Sequence, residues 1–420
     1  MFDTLKNAWR IKDIRQKIIF TIVMLFIYRV GTYVPIPGVD SSYIQAIVEK
    51  GGLLGFFDMI TGGAFANYTI FAMGITPYIN SSIIMQLLTV AIPKLEELAK
   101  EGEDGRKKIA QYTRYVTIIL AFIQSLGITY GLARGAIVGG TFFSYFLVAL
   151  TLTAGTAFLM WMGEQITDKG IGNGISLLIF ASIVSRLPVA IATTIQRTFV
   201  AKVQSVWSLP LIIVFAVLLI AGVIYVDLGE RRIPVQYSKR VVGRKVYGGQ
   251  STHIPMKVNA SGVLPIIFAI SILSFPQTIA LLVPNSGFAN WVGSHFNQGS
   301  ALYAIIYGLL IIFFTYFYTQ ITFNPVEIAN NLKQYGGFVM GIRPGKSTAE
   351  YLSRISNRIT FVGSLFLTAI AIIPIIASAV AKIPMYFGGT AILILVGVAM
   401  ETSRELESQM LMRHYKGFLK

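Results

Sequence analysis

The chain has 420 residues, of which 54% are hydrophobic and only 13% are charged. A soluble domain usually carries about a quarter charged residues, so this composition excludes an ordinary soluble protein and predicts a polytopic membrane protein. The formal net charge of +16 suggests nucleic-acid binding at first sight, but in a membrane protein it more often reflects basic cytoplasmic loops. The absence of cysteine excludes disulfides and thiol chemistry.

Ten apolar segments are long enough to cross a bilayer. They lie approximately at residues 18–34, 70–92, 114–132, 142–163, 172–190, 208–227, 260–283, 301–322, 359–380 and 385–401. The first segment is too long for the hydrophobic region of a signal peptide and lacks a small-residue cleavage site before Pro35. No cleavable signal peptide is therefore expected.

Positive charge divides the connections between these segments into two sides. Of the 35 Lys and Arg residues, 28 lie on the side that holds both termini, six lie on the opposite side, and Arg29 lies within the first segment. The positive-inside rule therefore predicts that both termini are cytoplasmic. An even number of crossings agrees with this orientation.

The connection after the first segment is rich in glycine and contains a short apolar stretch, Leu53 to Ile60. This stretch is too short to span a bilayer. It is compatible with a re-entrant half-helix, which needs surrounding protein or a water-filled cavity. It is equally compatible with an amphipathic helix on the outer leaflet, and the residues alone leave both alternatives open.

The second segment carries many polar and helix-loosening residues for a membrane helix. They are Gly74, Thr76, Pro77, Asn80, Ser81, Ser82 and Gln86. Because polar groups without partners are costly in hydrocarbon, this helix is expected to be buried among other helices or to face water. Ser82 and Gln86 share a helix face that can bond to a neighbouring helix. A polar face that separates from its neighbour at modest cost is what a gate needs.

The fifth segment opens on GIGNG, residues 170–174. This motif resembles a glycine-rich phosphate loop only weakly, because no strand precedes it. It predicts a tight turn with Asn173 as the helix cap. Isoleucine pairs four residues apart, which ordinarily face lipid or pack against helices, are Ile75 with Ile79 and Ile175 with Ile179.

Two long connections, residues 228–259 and 323–358, lie on the predicted cytoplasmic side. Both are basic and rich in β-forming residues, Gly or Pro, and ordered loops of this length are usually functional. Attraction to anionic lipid is one explanation. Docking of an acidic or RNA-containing partner is the other, although neither loop has the aromatic signature of an RNA-binding module.

The sequence lacks the residue patterns of many enzymes and ion-coupled carriers. The histidines His253, His295 and His414 lie outside the predicted spans, so no span holds a histidine metal site or general base. The patterns GxSxG, GxxxxGK[ST] and HExxH are absent. None of the 19 acidic residues lies near the centre of a span, where ion-coupled carriers usually keep one. We therefore expect no enzyme; a channel, a carrier and a membrane scaffold stay as alternatives.

Several motifs together closely resemble the bacterial SecY family, the pore subunit of the general protein-secretion translocon. They are YVPIPGVD, GITPYINSSIIMQLL, EGEDGRKKIAQYTRY, GEQITDKGIGNGISLLIFASI, RRIPVQYSKR, QSTHIPMKVNASGVLPIIFA, NPVEIANNLKQYGGFVMGIRPG and FGGTAILILVGVAM. The matches follow one another along nearly the whole chain. Met340 is a departure, since the family pattern leads us to expect proline before GIRPG, and the C-terminal tail matches only loosely.

The resemblance implies an all-α polytopic membrane fold with ten transmembrane helices in two five-helix halves, residues 1–206 and 207–420, related by an inverted pseudo-two-fold. The halves would enclose an hourglass channel that opens sideways between the second and seventh helices. The implied function is conduction of unfolded secretory polypeptides across the bacterial cytoplasmic membrane, with a small-solute secondary transporter as the alternative. No cofactor, metal site or catalytic residue is implied.

The resemblance also assigns roles to residues. An apolar pore ring would consist of Ile75, Ile79, Ile175, Ile179, Ile267 and Ile394. A plug at about residues 53–67 would include Phe56, Phe57, Met59, Ile60, Gly62 and Gly63. The lateral gate would include Asn80, Gln86 and Asn259. Docking contacts would come from Arg231, Arg232, Lys239, Arg240, Arg244, Lys245, Arg343 and Lys346.

The partners implied by the resemblance are of four kinds. The SecE and SecG subunits would complete the channel, and the SecA motor ATPase or a ribosome, through its RNA and proteins, would dock on the cytoplasmic loops. Signal-sequence-bearing polypeptides and membrane lipid would be the channel's substrates and surroundings. Because the chain has no nucleotide-binding motif, the driving force would come from a partner.

Overall fold

The computed structural model describes residues 8–48, 53–137, 139–200, 208–237, 240–242, 245–247, 251–283, 286–296, 300–381 and 389–417. The chain divides into two compact units. The first comprises Met1–Leu209, Ile270–Ala304 and Ile394–Lys420, and the second comprises Pro210–Ala269 and Ile305–Leu393. The two halves expected from the resemblance, which meet between residues 206 and 207, stay a prediction.

Helices account for most of the described chain. The N-terminal part forms α1 (Lys12–Gly31), α2 (Ser41–Val48), α3 (Leu53–Ile60), α4 (Thr76–Ala91), α5 (Pro93–Lys100), α6 (Glu103–Gly131), α7 (Phe142–Lys169) and α8 (Gly174–Ile195). The remainder forms α9 (Ser208–Leu228), β1 (Glu230–Tyr237), β2 (Arg240–Val242), β3 (Lys245–Tyr247), β4 (Ser251–Lys257), α10 (Leu264–Leu282), α11 (Gly287–His295), α12 (Ala301–Thr322), α13 (Pro325–Gln334), β5 (Gly337–Val339), α14 (Lys346–Ala381) and α15 (Gly389–Gly417).

Within the described residues, five helical stretches are long and apolar enough to cross a membrane. They are Phe142–Lys169, Gly174–Ile195, Pro210–Leu228, Ala301–Gln334 and Lys346–Ala377, and the apolar helix Leu264–Ala280 is shorter. Three further predicted crossings lie in α1, α6 and α15, each of which continues into a charged segment. The multi-pass membrane character predicted from the sequence is confirmed, and the count of ten crossings stays a prediction.

Helix α6 packs against α4 and α7 through small and hydroxyl-bearing residues. Thr117, Ser125 and Thr129 are completely buried, and the Oγ of Ser125 lies 3.2 Å from Oγ1 of Thr153 on α7. Small residues let helix backbones approach closely in a membrane, where apolar burial gives little driving force for helix association. These helices therefore form a close-packed support beside α4.

The first turn of α6 is charged and lies outside the apolar part of that helix. Nζ of Lys107 lies 2.9 Å from Oε1 of Glu103. The hydrogen bond from Lys107 and its positive charge lower the pKa of the Glu103 carboxyl. Glu103 and Asp104 also lie in the first turn of the helix, where negative charge complements the helix dipole.

Helix α8 begins at a side-chain cap that the sequence predicted. Oδ1 of Asn173 accepts a hydrogen bond from the backbone N–H of Ser176 at 3.2 Å, which confirms the predicted cap. A Cβ on Gly174 would overlap the backbone carbonyl of Gly163 on α7, so the GIGNG turn needs glycine to approach that helix. The helix ends at Ile195 rather than near residue 190, and it contains Pro188.

The two long cytoplasmic connections predicted from the sequence form one structure in the second unit. Strands β4, β1 and β5 make a three-stranded antiparallel sheet in that order. Val235 of β1 pairs with Val339 of β5. Val235 and Ile233 are buried with Leu332 of α13 and Leu352 of α14, while the alternate β1 residues are exposed, as expected for a sheet with one buried face.

The N-terminal segment packs against the C-terminal helix within the first unit. Ala8, Ile14, Ile171 and Leu406 form a buried apolar cluster. Nζ of Lys17 donates a hydrogen bond to Oε1 of a glutamine on α15, Gln409, at 3.2 Å. The two terminal segments therefore lie beside each other.

Candidate functional site

The glycine-rich segment 53–67 is packed inside the first unit. Asp58 is only 6% exposed, and Thr61 and Phe65 are buried as well. Phe65 belongs to a core cluster that includes Ile36 and, from α2, Ile44. An amphipathic helix on a membrane surface would not have this protein environment, so the burial favours the re-entrant alternative.

The end of α3 requires glycine at two positions. The helix ends at Ile60, and Gly62 and Gly63 follow with φ of +66° and +94°. A Cβ on Gly62 would lie 3.1 Å from Nη1 of Arg29, and one on Gly63 would lie 2.9 Å from Cζ of Arg186. Both the backbone conformation and the close approach of two guanidinium groups therefore exclude a larger side chain without a local shift.

Two side chains of α1 bind the backbone carbonyls that follow α3. The hydroxyl of Tyr28 donates to the carbonyl oxygen of Thr61 at 3.2 Å and shares a 2.5 Å hydrogen bond with the hydroxyl of Ser182 on α8. Nη1 of Arg29 donates to the carbonyl oxygen of Gly62 at 3.0 Å. These two carbonyls lie in the turn after α3, and side chains of α1 therefore bind the backbone of that turn directly.

A buried ion pair joins α3 to α8. The guanidinium of Arg186 binds Oδ2 of Asp58, and Oδ1 of the same carboxylate accepts from the backbone N–H of Ala66 at 2.8 Å. Arg29 reaches α8 as well, through a 3.0 Å hydrogen bond to the hydroxyl of Ser185. We call Arg29, Asp58 and Arg186 the charged cluster; it carries two positive charges and one negative charge.

The chain after the glycine-rich segment fills the space between α1 and α7. The ring of Phe71 stacks on the rings of Tyr28 and Phe158, with centroid distances of 6.0 Å in both cases. A Cβ on Gly31 would overlap the Phe71 ring, and one on Gly155 would overlap the backbone of the same segment. These contacts fix the position of the glycine-rich segment from its C-terminal side.

Helix α4 begins at Thr76, six residues later than the predicted span 70–92. The physical reason is local, because Gly74 has a positive φ of +57° and Pro77 lies in the first turn of the helix. Ile75 is buried at the helix start and Ile79 is half-buried one turn later, with its N–H bound to the carbonyl of residue 75 at 3.1 Å.

Asn80 is buried on α4 without hydrogen bonds for its side chain. It is 1% exposed, and neither Oδ1 nor Nδ2 has a hydrogen-bond partner among the described residues. Within the same part of the chain, Oδ1 of the half-buried Asn259 and Oγ of Ser261 also lack partners. Gln86 is half-buried. Buried amides are ordinarily paired. Each unpaired group therefore lowers the stability of the fold relative to a hydrogen-bonded or apolar side chain at the same position.

The other residues assigned to the pore ring lie on three different helices. Ile175 is half-buried and its Cδ1 lies against Gly163, 2.5 Å from where a Cβ would be. Ile179 is buried one turn later on α8. Ile267 is half-buried on α10 in the second unit, and Ile394 is buried on α15 in the first.

The assigned docking residues whose side chains the structure describes lie on β1 and just after β5, two neighbouring strands of the three-stranded sheet. Arg231 and Arg232 are exposed on β1, and Arg343 and Lys346 are exposed beyond β5, at the start of α14. Pairing of β1 with β5 brings the two basic connections to one surface. Of the assigned residues, Lys239 and Arg244 lie outside the described residues, as do the side chains of Phe56, Arg240 and Lys245.

Comparison with known proteins gives a family. The sequence model of SecY matches residues 69–403. The protein translocase subunit SecY of Halalkalibacterium halodurans is 48% identical over 431 residues, covering 100% of both chains, and that of Escherichia coli is 46% identical over 419 residues, covering 97% of this chain and 94% of the relative. The chain belongs to the SecY family.

Solved structures show the same fold at lower sequence identity. A SecY channel structure described by the role of its plug domain has a TM-score of 0.64 at 20% identity, covering 94% of this chain and 92% of that one. Canine Sec61 in a ribosome–channel complex has a TM-score of 0.58 at 18% identity, with the same coverage. The SecY-like fold predicted from the sequence is confirmed. The described residues also form two small sheets, which the expectation of an all-α chain did not include.

No pattern within one segment of the sequence predicted the charged cluster of this SecY-family chain. One signal was available, because Arg29 and Arg186 both lie inside predicted spans, 18–34 and 172–190, and intramembrane charges are functional by default. The charge count assigned Arg186 to the outer side although the predicted span 172–190 includes it, and the residue lies within α8. Asp58 and Arg186 are 128 residues apart, so no local pattern pairs them.

Proposed function

We propose that this chain forms the protein-conducting channel of a bacterial translocase, which moves unfolded secretory polypeptides across the cytoplasmic membrane and releases apolar segments sideways into lipid. The observation that carries the proposal is 48% identity over the full chain to a protein translocase subunit SecY. The SecY-like fold supports it. The chain would act as a conduit rather than as an enzyme.

In this proposal the glycine-rich segment 53–67 is the plug segment that closes the channel. Its burial against α1 and α8 supports this role, because a plug must have a defined seat in the closed state. Phe57, Met59 and Ile60 are half-buried, so apolar side chains accompany the polar contacts. Gly62 and Gly63 give the end of the segment a backbone that can change direction.

The constriction would be the ring of Ile75, Ile79, Ile175, Ile179, Ile267 and Ile394. Aliphatic side chains offer ions no replacement for their hydration shell, and a narrow apolar neck loses its water. The burial of Ile75, Ile179 and Ile394 supports a packed rather than lipid-facing role. Such a ring is also indifferent to the sequence of the passing polypeptide.

The lateral gate would include Asn80, Gln86 and Asn259. Polar groups that lack partners in the closed state lose no hydrogen bonds when the helices part, and they gain bonds to water or substrate. The unpaired amide of Asn80 supports this interpretation. A signal sequence would then bind at the seam according to its hydrophobicity.

The basic surface formed by Arg231, Arg232, Arg343 and Lys346 would dock the SecA motor or a ribosome from the cytoplasm. The β1–β5 pairing supports a single docking surface, and positive charge suits both acidic proteins and ribosomal RNA. Both termini would then be cytoplasmic. The SecE and SecG subunits are proposed from the family resemblance alone.

The absence of cysteine provides a direct test. A single Ile79→Cys substitution is combined with a thiol-reactive probe in a secretory polypeptide that is stalled during translocation. We expect a crosslink in membranes that requires both a signal sequence and a motor or ribosome, because the polypeptide must pass the ring. Crosslinked product is measured on denaturing gels.

The matched control is Ile119→Cys on α6, where the side chain is 60% exposed on the outer face of the unit and no crosslink is expected. If cysteines introduced at positions 79, 267 and 394 all failed to react while translocation continued, the ring assignment would be wrong. If the chain supported no translocation in any reconstitution, the secondary-transporter alternative would replace the proposal.

A further inference from the structure

The polar contacts of the plug segment converge on a very short stretch, from Asp58 to Gly63. One side of this stretch is bound by Tyr28 and Arg29 of α1, and the other by Arg186 of α8. The convergence combines a side-chain carboxylate on α3 with two backbone carbonyls of the turn that follows this helix. Displacement of residues 58–63 from this position would break all these contacts.

The carboxylate of Asp58 has two different partners. Oδ1 accepts from the N–H of Ala66 at 2.8 Å and so shapes the turn within the plug segment. Oδ2 binds Arg186 and is the ionic contact that fixes the turn to α8. The pair is largely shielded from solvent, since 9% of the Asp58 side chain and 27% of the Arg186 side chain are exposed.

Arg29 reinforces this arrangement without competing for the carboxylate. Its Nη1 donates to the carbonyl of Gly62 and to the hydroxyl of Ser185, each at 3.0 Å. Nη2 donates to the hydroxyl of Tyr33 at 3.0 Å, and Cζ lies 5.1 Å from the centroid of that ring. Both terminal nitrogens of the guanidinium are therefore hydrogen-bonded, and its charge complements the negative end of the α3 dipole.

An ion pair of this kind depends on the absence of water. The attraction between two charges in a dry protein interior is many times stronger than in water, whereas separated charges become acceptable once both are hydrated. When the channel fills with water and polypeptide, the pair therefore loses most of its strength. When water leaves the channel, the pair forms again, because an unpaired charge in a water-free interior is costly.

We propose that Asp58 and Arg186 form an ionic latch, oriented by Arg29, which holds the plug segment closed and releases it when water reaches the pair. This inference rests on the proposed function, because it presupposes that residues 53–67 close a channel. It adds that the strength of closure is set by one charge on the plug segment and one on α8. Both are positioning residues and neither would contact the polypeptide for recognition.

The test uses the complete translocon, reconstituted with its partner subunits in planar bilayers, and measures ion conductance without substrate. Asp58→Asn and Arg186→Gln should each raise the open probability by about tenfold or more, because each leaves a buried group without its partner. The double variant should leak less than the sum of the two single effects, since both remove the same interaction. Arg186→Lys keeps the charge and should restore most of the closure.

The matched control is Asp40→Asn. Asp40 is an exposed carboxylate between α1 and α2 whose Oδ1 accepts from the N–H and hydroxyl of Ser42, at 3.0 Å and 2.6 Å. Its substitution removes one acidic residue and leaves the contacts of the plug segment in place. Its conductance should match the parent channel.

A second measurement separates loss of the latch from loss of the fold. Ala64 is 0% exposed in the plug segment, and Ala149 is 0% exposed in α7, so Ala64→Cys and Ala149→Cys should each resist a membrane-impermeant maleimide. When Asp58→Asn is added, the thiol introduced by Ala64→Cys should become reactive while the thiol introduced by Ala149→Cys stays protected. Reactivity at both positions would indicate a damaged fold, and Arg186→Gln would then be tested in its place.

The ionic latch and the proposed channel function would be contradicted by different results. The latch alone would be overturned by the following result. The parent channel opens with signal peptide, but Asp58→Asn and Arg186→Gln conduct no more than the parent without substrate. The thiol at position 64 also stays as unreactive in these variants as in the parent. A complex in which neither parent nor variants conduct with any signal peptide would overturn the proposed function itself.

Discussion

Gly63 and Gly38 have the same backbone preference in different surroundings. Their φ angles are +94° and +80°, but a Cβ on Gly63 would lie 2.9 Å from Cζ of Arg186, while one on Gly38 would meet nothing within 4 Å. Gly63→Ala should therefore lose about 1–2 kcal/mol for the left-handed conformation and also displace the guanidinium. Thermal unfolding in detergent and substrate-free conductance measure the two effects.

Gly38→Ala is the control, because it has the backbone penalty without the steric contact. It should lower the unfolding temperature slightly and leave the conductance unchanged. An equal leak in both variants would mean that backbone strain, and not the position of Arg186, controls closure.

Asn80 is a second residue whose substitution has a clear direction. A buried amide without hydrogen bonds costs about 1–3 kcal/mol relative to a satisfied or apolar group, so Asn80→Leu should raise the unfolding temperature. In the proposed gate it should also make opening harder, so that weakly hydrophobic signal sequences are translocated less efficiently. Both quantities are measured on the same purified translocon.

Thr156→Val separates the effect on the unfolding temperature from the effect on the choice of signal sequence. Thr156 on α7 is also buried, with its hydroxyl unpaired among the described residues, and valine has nearly the same shape. It should stabilise the protein and leave the choice of signal sequence unchanged. If Asn80→Leu stabilised the fold without altering that choice, Asn80 would be a structural residue and not part of the gate.

Strand β5 is the element that joins the two basic connections. Val339 is buried at the end of β5, where it pairs with Val235 of β1, while Met340, the next residue, is 58% exposed. Val339→Asn should place an amide in the apolar cluster beneath the sheet and detach β5. Limited trypsin digestion should then cleave faster after Lys333 and Lys346, and binding of the proposed partner, the motor or a ribosome, should weaken.

The same substitution at Met340 provides the comparison. Met340→Asn changes an exposed side chain, so the digestion rate and the binding should match those of the parent. Faster cleavage in both variants would show that the connection is held by contacts other than the β1–β5 pairing.

In the whole molecule, the residues proposed to hold the channel closed differ from those proposed to line the path of the polypeptide. The proposed latch is formed by Asp58 on α3 and Arg186 on α8, whereas the proposed ring begins with Ile75 at the start of α4. Asp58→Asn should therefore leak without substrate and still give the crosslink from Ile79→Cys during translocation. A variant that lost both would indicate that the plug segment also forms part of the conducting path.

The sequence predicted those features that are determined locally. The cap at Asn173 and the membrane character of the helices follow from neighbouring residues and from composition, and both are confirmed. The late start of α4 depended on Gly74 and Pro77, which were visible but were interpreted as part of a continuous span. The β1–β5 pairing and the Asp58–Arg186 ion pair join distant parts of the chain, and no periodicity within one segment reports such contacts.

The charge balance of the cluster has a consequence for the membrane potential. If the plug segment moves away, Asp58 leaves with it, while Arg29 and Arg186 stay on α1 and α8. The vacated seat then changes from one net positive charge to two, and fixed guanidinium groups repel protons and small cations. A channel opened for a polypeptide would therefore still resist discharge of the proton gradient, through charges that only opening uncovers.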